Sequence, residues 1–236
     1  MPVSQNQRLR KAAAKAAKRK AVVAEKLARD RRELSISKPR HIDFAASPIV
    51  ACTMTENFES IGISTLTVAR KLSLGRYGIA VFLLDLWCLG VKDAFFRVAD
   101  ADDYEYYVGG IEADGGAAPI EPARARRLLR DAVAYGASNG FSPPAEFADF
   151  ERIFGDVAVA EATFSFGDNG RPHFVVGPDE TRSRAEHIRA NLEQRWGRDG
   201  YDITYPLADD DEDDEFGEDE LAPDEHERVE GPLRRR

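Results

Sequence analysis

The stretch that decides the fold is residues 77–96, which read YGIAVFLLDLWCLGVKDAFF. Its first part, Tyr77–Trp87, is apolar apart from Asp85, and this pattern predicts a buried β-strand. The longest apolar stretch of the chain, Tyr77–Val91, contains Asp85 and is shorter than the ~20 apolar residues that a membrane-crossing helix needs. Upstream, Ile63–Leu72 is rich in Thr, Val and Ile, and only the short loop Ser73–Arg76 separates the two segments. Such a short connection predicts an antiparallel hairpin.

Downstream of this hairpin the sheet is expected to continue. Ala94–Val98 extends it after a turn predicted at residues 89–93. The glycine pairs Gly109-Gly110 and Gly115-Gly116 then predict a loop, because glycine favours turns over helices.

The second half of the core combines helix and strand patterns. Pro122 fits the first turn of a helix that ends by Gly140, Asn169-Gly170 is typical of a hairpin turn, and Asp179 is the predicted cap of the last helix. The other expected elements are helix Ala145–Phe154, strands Ala162–Phe166 and His173–Val176, helix Thr181–Trp196 and strand Tyr201–Tyr205. This irregular order predicts an α+β fold, with a mainly antiparallel sheet built from two hairpins and with three helices.

Charge divides the 236-residue chain, whose net charge is −9, into three segments. Residues 1–40 hold 13 basic and 3 acidic residues (+10), residues 209–236 hold 4 basic and 14 acidic residues (−10), and the middle carries −9. We therefore predict a basic, partly helical arm at 1–40, a single α+β domain at 41–208 and a disordered acidic tail at 209–236. The two cysteines, Cys52 and Cys88, exclude a disulfide framework and indicate a reducing, cytoplasmic setting.

The basic arm is the strongest indication of a partner. Residues 7–33 combine Ala, Lys, Arg, Leu and Glu without Gly or Pro, which favours a helix, but the apolar stripe is too thin to pack into a core. Because Lys and Arg placed on phosphates release counterions, we expect the arm to contact RNA, DNA or the ribosome. A solvated tail that tunes solubility is the alternative. The candidate nucleic-acid-binding residues are Arg8, Arg10, Lys11, Lys15, Lys18, Arg19 and Lys20.

The acidic tail allows three interpretations. It is a solvated extension, it masks the basic arm, or it mimics nucleic acid toward another protein. Masking requires close approach, since charges attract only within a screening length of about 8 Å at physiological salt.

Two sequence runs resemble signatures of an uncharacterised bacterial family. The first is residues 77–96, and the second is FSFGDNGRP at residues 164–172, followed by Gly177-Pro178-Asp179. The resemblance spans roughly residues 60–205 and leaves the arm and the tail outside. It implies a single domain and, because no activity is known for the family, it implies no function.

Polar residues inside the first run are the candidates for a catalytic role. Asp85 interrupts an apolar strand, where a lone carboxylate is costly unless it is paired or hydrogen-bonded. With Lys92 and Asp93 it forms a candidate catalytic cluster for a metal-dependent hydrolase or nuclease. The alternative is a buried pair, Asp85 with Lys92, that fixes the turn.

Two further surfaces are candidates for binding. Arg182 and Arg184 at the start of the last helix are candidate anion-binding residues. Tyr104, Tyr106 and Tyr107 form an aromatic patch suited to a protein partner, or else a tyrosine-rich edge strand.

Other recognisable sites are missing from the sequence. It contains no phosphate-binding loop, dinucleotide fingerprint or nucleophile elbow, and no metal site or cofactor is predicted. We therefore expect a cytoplasmic nucleic-acid- or ribosome-associated binding module. The alternatives are the hydrolase and a protein-binding adaptor.

Overall fold

A computed structural model describes residues 39–56, 58–113, 116–177 and 180–205. Most of the predicted arm, the whole acidic tail and Asp179 lie outside these residues. Within them the fold is α+β, with a mainly antiparallel five-stranded sheet, as the sequence predicted. None of the described helices is both long and apolar enough to span a membrane.

The central sheet is a meander with one added strand, in the order β4-β3-β2-β1-β5, and all neighbours are antiparallel. Its strands are β1 (Ile49–Thr55), β2 (Ile63–Lys71), β3 (Tyr77–Asp85), β4 (Gly90–Ala99) and β5 (Ala117–Pro119). The predicted hairpin of β2 and β3 is confirmed, with Lys71 opposite Tyr77. Strand β1 was not predicted from the sequence, and neither was β5, because three residues ending in proline carry no strand pattern.

In the described part of the chain, four helices accompany the two sheets: α1 (Ala101–Ala113), α2 (Pro122–Ser138), α3 (Phe147–Glu151) and α4 (Arg182–Trp196). A single helical turn, Phe58–Ile61, precedes β2, and a 3-10 turn, Arg152–Phe154, follows α3. The helices predicted around α2, α3 and α4 are confirmed. Thr181 caps α4 by accepting a hydrogen bond from the Arg184 N–H, in place of the predicted Asp179.

Helix α1 corrects two predictions. It runs through Gly109-Gly110, where a loop was expected, and it carries the three tyrosines that were expected on an edge strand or patch. Asp100 starts this helix by accepting a hydrogen bond from the Asp103 N–H. Tyr104 stacks on Tyr77 at 4.1 Å between ring centres, and this packing offsets the low helix propensity of glycine.

Two further corrections concern turns and pairing. Strand β4 already begins at Gly90, inside the turn predicted at 89–93. Residues 162–166 do not form a strand. Instead, Phe166 stacks on Tyr135 of α2, and β6 (His173–Val175) pairs in parallel with β7 (Asp202–Thr204). The predicted turn is confirmed by the pairing of Asp168 with Arg171.

Both faces of the sheet are buried. One face packs against α2 and α3 through a core that contains Phe82, Phe96, Leu128, Phe150 and Phe154. The other face forms a second apolar cluster that includes Tyr107 of α1. A third cluster joins Cys88 and Leu89 to β6 and α4, so the turn after β3 lies at the junction of the main sheet and the small one.

Candidate functional site

Asp85 lies at the end of β3 and is 1 % exposed. Its Oδ1 accepts hydrogen bonds from the backbone N–H groups of Trp87 at 3.2 Å and Cys88 at 3.0 Å. These bonds satisfy the carboxylate and hold the tight turn that leads into β4. They therefore supply a structural reason for an acidic residue in an apolar strand.

Side chains of α2 and its C-terminal end also bind the backbone of the turn after β3. Tyr135 donates its hydroxyl hydrogen to the Trp87 carbonyl at 2.8 Å, and Asn139 donates to the Cys88 carbonyl at 2.8 Å. Burial raises the pKa of the Tyr135 hydroxyl, so this donor keeps its proton. The turn after β3 is thus clamped by two side chains of α2 and its C-terminal end.

Lys92 has a different partner from the one expected. Its Nζ lies 2.9 Å from Oε1 of Glu180, whose other oxygen, Oε2, lies 3.0 Å from Nε of Arg184. The Glu180 side chain is 7 % exposed and bridges the two cations. Arg182, the second candidate anion-binding residue, pairs with Glu186 at 3.0 Å. A phosphate at this helix start would compete with these carboxylates for both arginines.

Asp93 follows Lys92 on β4, and its Oδ1 accepts a hydrogen bond from the N–H of Ala94 at 2.8 Å. Among the residues that the structure describes, no three His, Cys, Asp or Glu side chains are grouped so that they could hold a metal ion. The catalytic role of Asp85, Lys92 and Asp93 stays a prediction.

We expect the variants Asp85→Asn and Asp85→Ala to separate the structural role of this carboxylate from a catalytic one. In Asp85→Asn the amide oxygen can still accept from both backbone N–H groups, so the free energy of unfolding should fall by less than about 1 kcal/mol. The alanine variant leaves the buried N–H groups without this acceptor and should lose about 2 kcal/mol. Urea unfolding measures both values, and equal losses for the two variants would contradict the structural assignment.

The tyrosines of α1 do not share one surface. Tyr106 is 86 % exposed, whereas Tyr107 is buried beneath the Arg97 guanidinium, which lies 4.2 Å from its ring centre. Tyr104 is occupied by its stack on Tyr77. Of the three, Tyr106 alone is mostly open to a partner.

An arginine-lined cleft of about 480 Å³ lies where the predicted arm joins the core. Its lining includes His41, Asp43, Arg126 and Arg152. Arg126 donates from Nη1 to the carbonyls of Gly155 and Val157, and its buried Nε–H has no acceptor among the described residues. No described carboxylate forms an ion pair with Arg126, and the cleft lining contains two arginines and one carboxylate, Asp43.

A second, aromatic cleft of about 530 Å³ lies between the turn after β3 and residues 165–170. Its walls include Trp87, Phe166 and Asp168. Behind them Asp168 Oδ2 lies 3.0 Å from Nδ1 of His173, and Nε2 of His173 lies 2.8 Å from Oγ1 of Thr204. The indole of Trp87 stacks on the imidazole with 5.4 Å between ring centres.

This hydrogen-bonded chain of Asp168, His173 and Thr204 was not predicted from the sequence. The Asn-Gly turn signal did indicate that the chain reverses between Asp168 and His173, which brings these two residues together. Thr204 joins them only through the parallel pairing of β6 with β7, and no local pattern indicates that pairing.

No family model matches the chain, and the comparisons with curated proteins and with solved structures find no match. The family resemblance of the two sequence runs stays a prediction.

Proposed function

We propose that this protein binds nucleic acid, either RNA or DNA, through the basic arm at residues 1–40 and the arginine-lined cleft at its root. The observation that carries the proposal is the charge layout, with +10 in the arm and −10 in the tail around a core of the same sign as the tail. Neutralising phosphates with Lys and Arg is favourable because it releases condensed counterions.

The cleft supports the proposal at the level of contacts. Arg126 and Arg152 lie beside residues 41–45, which follow the arm directly in the chain. Arg126 is half-buried and forms no ion pair with a described carboxylate, and a phosphate oxygen is a strong acceptor for the part of a guanidinium group that solvent reaches. A nucleic-acid strand held by the arm would thus meet the guanidinium of Arg126 at the arm's root.

In this proposal the acidic tail lowers the affinity of the protein for nucleic acid. Its 14 acidic residues compete with phosphates for the arm, and the net repulsion between tail and nucleic acid acts in the same direction. Both effects weaken with salt, because the screening length shortens.

Deleting residues 1–34 is expected to abolish most binding to mixed RNA and to duplex DNA. Because each phosphate contact contributes about −0.7 to −0.9 to the slope of log K against log salt, the truncated protein should also show a much flatter slope. Fluorescence anisotropy across a salt series measures both quantities. Removing residues 209–236 should tighten binding, and unchanged affinity after deletion of the arm would exclude the proposal.

A pair of variants on α2 tests the cleft separately. Arg126→Gln removes the charge that has no described carboxylate partner, whereas Arg127→Gln removes a charge already paired with Asp131 at 2.8 Å. The first variant should weaken binding and flatten the salt slope by about one phosphate contact, while the second leaves both nearly unchanged. Equal effects of the two variants would remove the cleft from the proposal and leave the arm.

A further inference from the structure

We propose that Asp168, His173 and Thr204 form a nucleophilic hydrolase centre for carboxylic esters, with Thr204 as the nucleophile and the aromatic cleft as the acyl site. This inference is independent of nucleic-acid binding and uses neither the arm nor the arginine-lined cleft. It rests on the order of three hydrogen-bonding groups, on their partial burial and on the cavity that Asp168 lines.

The hydrogen bonds determine which ring nitrogen of His173 carries the hydrogen. A carboxylate can only accept, so Nδ1 of a neutral His173 carries its hydrogen toward Asp168 at 3.0 Å. The opposite nitrogen, Nε2, is then an acceptor and faces the Thr204 hydroxyl at 2.8 Å. This is the arrangement in which an imidazole acts as general base toward a hydroxyl nucleophile and a carboxylate holds the ring in the correct tautomer.

The imidazole is held rigidly. His173 is 8 % exposed, it stacks on Trp87, and its backbone N–H donates to the Trp87 carbonyl at 2.9 Å. Trp87 in turn packs directly against Gly62, where even an added methyl group would meet the indole ring. A fixed base costs little reorganisation during proton transfer.

The cleft supplies space for a substrate. Its volume of about 530 Å³ is in the range of small-molecule sites, and Leu86, Trp87 and Phe166 give it apolar walls. Asp168 belongs both to the cleft wall and to the hydrogen-bonded chain. Thr204 is partly exposed, and it is linked through His173 to Asp168 in the cleft wall.

The chemistry balances with water as the only co-reactant. Thr204 Oγ1 forms a bond to the ester carbonyl carbon while its proton passes to His173 Nε2. The carbon–alkoxy bond then breaks, and the leaving alcohol takes the proton from Nε2. Water attacks the acyl-threonine and gives a proton to Nε2, the bond from carbon to Oγ1 breaks, and Oγ1 recovers that proton as the acid leaves.

The first test needs no variant. The full chain is treated with a fluorophosphonate probe, which reacts with activated hydroxyl nucleophiles, and the modified peptide is identified by mass spectrometry. The proposal expects a single adduct on Thr204. Modification elsewhere, or none, overturns it.

The second test measures the hydrolysis of p-nitrophenyl butyrate. Thr204→Val keeps the shape of the side chain and removes the hydroxyl, and it should lower the rate about 100-fold, the size of effect expected for a positioned nucleophile and base. Thr204→Ser keeps a hydroxyl and should retain the activity and the probe adduct. Thr53→Val on β1 is the matched control and should change neither. Full activity in a folded Thr204→Val protein overturns the proposal, and if that variant does not fold, the adduct on the wild-type chain decides.

Discussion

Replacing Arg70 with methionine is expected to lower the free energy of unfolding by about 4 kcal/mol, because several buried carbonyls lose their donor together. Arg70 lies on β2, is 3 % exposed, and donates to the carbonyls of Ile153 at 2.5 Å and Phe154 at 2.6 Å. It also donates to those of Phe44 and Ser47. One side chain therefore fastens the segment before β1 and the turn after α3 to the sheet.

The large expected loss has its physical reason in the guanidinium group, whose three nitrogens donate to several carbonyls at once. Burial lowers the pKa of Arg70, and the charge of Asp156 partly offsets this effect. Arg70→Lys keeps the charge but offers donors from one nitrogen, so it should rescue only part of the loss. Urea unfolding of the three proteins checks the order, with Lys71→Met at the exposed neighbouring position as control. A loss in Arg70→Met no larger than in the control would contradict this assignment.

The second large effect is expected for Gly90→Ala at the start of β4. Gly90 has φ of +72°, and a methyl group there would meet the Ala132 carbonyl and would lie 3.0 Å from the Gly136 Cα. Strand β4 and helix α2 thus cross at two glycines, Gly90 and Gly136. Because the methyl group collides with backbone, the helix must move, and we expect a loss of at least about 3 kcal/mol.

Gly75→Ala is the matched control for this prediction. Gly75 has a similar φ of +67° in the turn between β2 and β3, but nothing lies within 4 Å of an added methyl group. This variant should cost only the strain of the left-handed conformation, about 1 kcal/mol. Thermal and urea unfolding compare the two. Equal losses would show that the crossing of β4 and α2 tolerates a side chain.

The parts of the fold that the sequence predicted are those with strong local patterns. The hairpin of β2 and β3 follows from two apolar runs and a short loop, and α2 follows from its proline and its apolar stripe. Helix α1 was missed because its two glycines favour a loop, while the contacts that hold it, Tyr77 with Tyr104 and Arg97 with Tyr107, join distant positions. The parallel pairing of β6 with β7 was not predicted either, because it also joins segments that lie far apart in the sequence.

The candidate sites, like the fold, were predictable only where a local sequence pattern indicates them. The sequence identified Asp85 as a carboxylate that needs a partner, and it suggested Lys92 for that role. In the structure, backbone amides of the turn donate to Asp85. Lys92 forms its ion pair with Glu180 instead. Glu180 gave no signal, because an acidic residue near the start of a helix is common. The Asp168–His173–Thr204 chain needed the three-dimensional structure, since Thr204 comes from a strand whose parallel pairing with β6 no local sequence pattern indicates.

The meander of β1 to β4 and the small sheet differ in how much chain must be ordered before their strands pair. Strands β1 to β4 pair with their neighbours in sequence, so each pairing closes a short loop and costs little entropy. The pair β6 and β7 closes a loop that contains all of α4. It should therefore form after the meander of β1 to β4 and open before that meander does under native conditions. Such local opening would separate Thr204 from His173 while Asp85 and its turn stay intact, so the two regions need not lose their structure together.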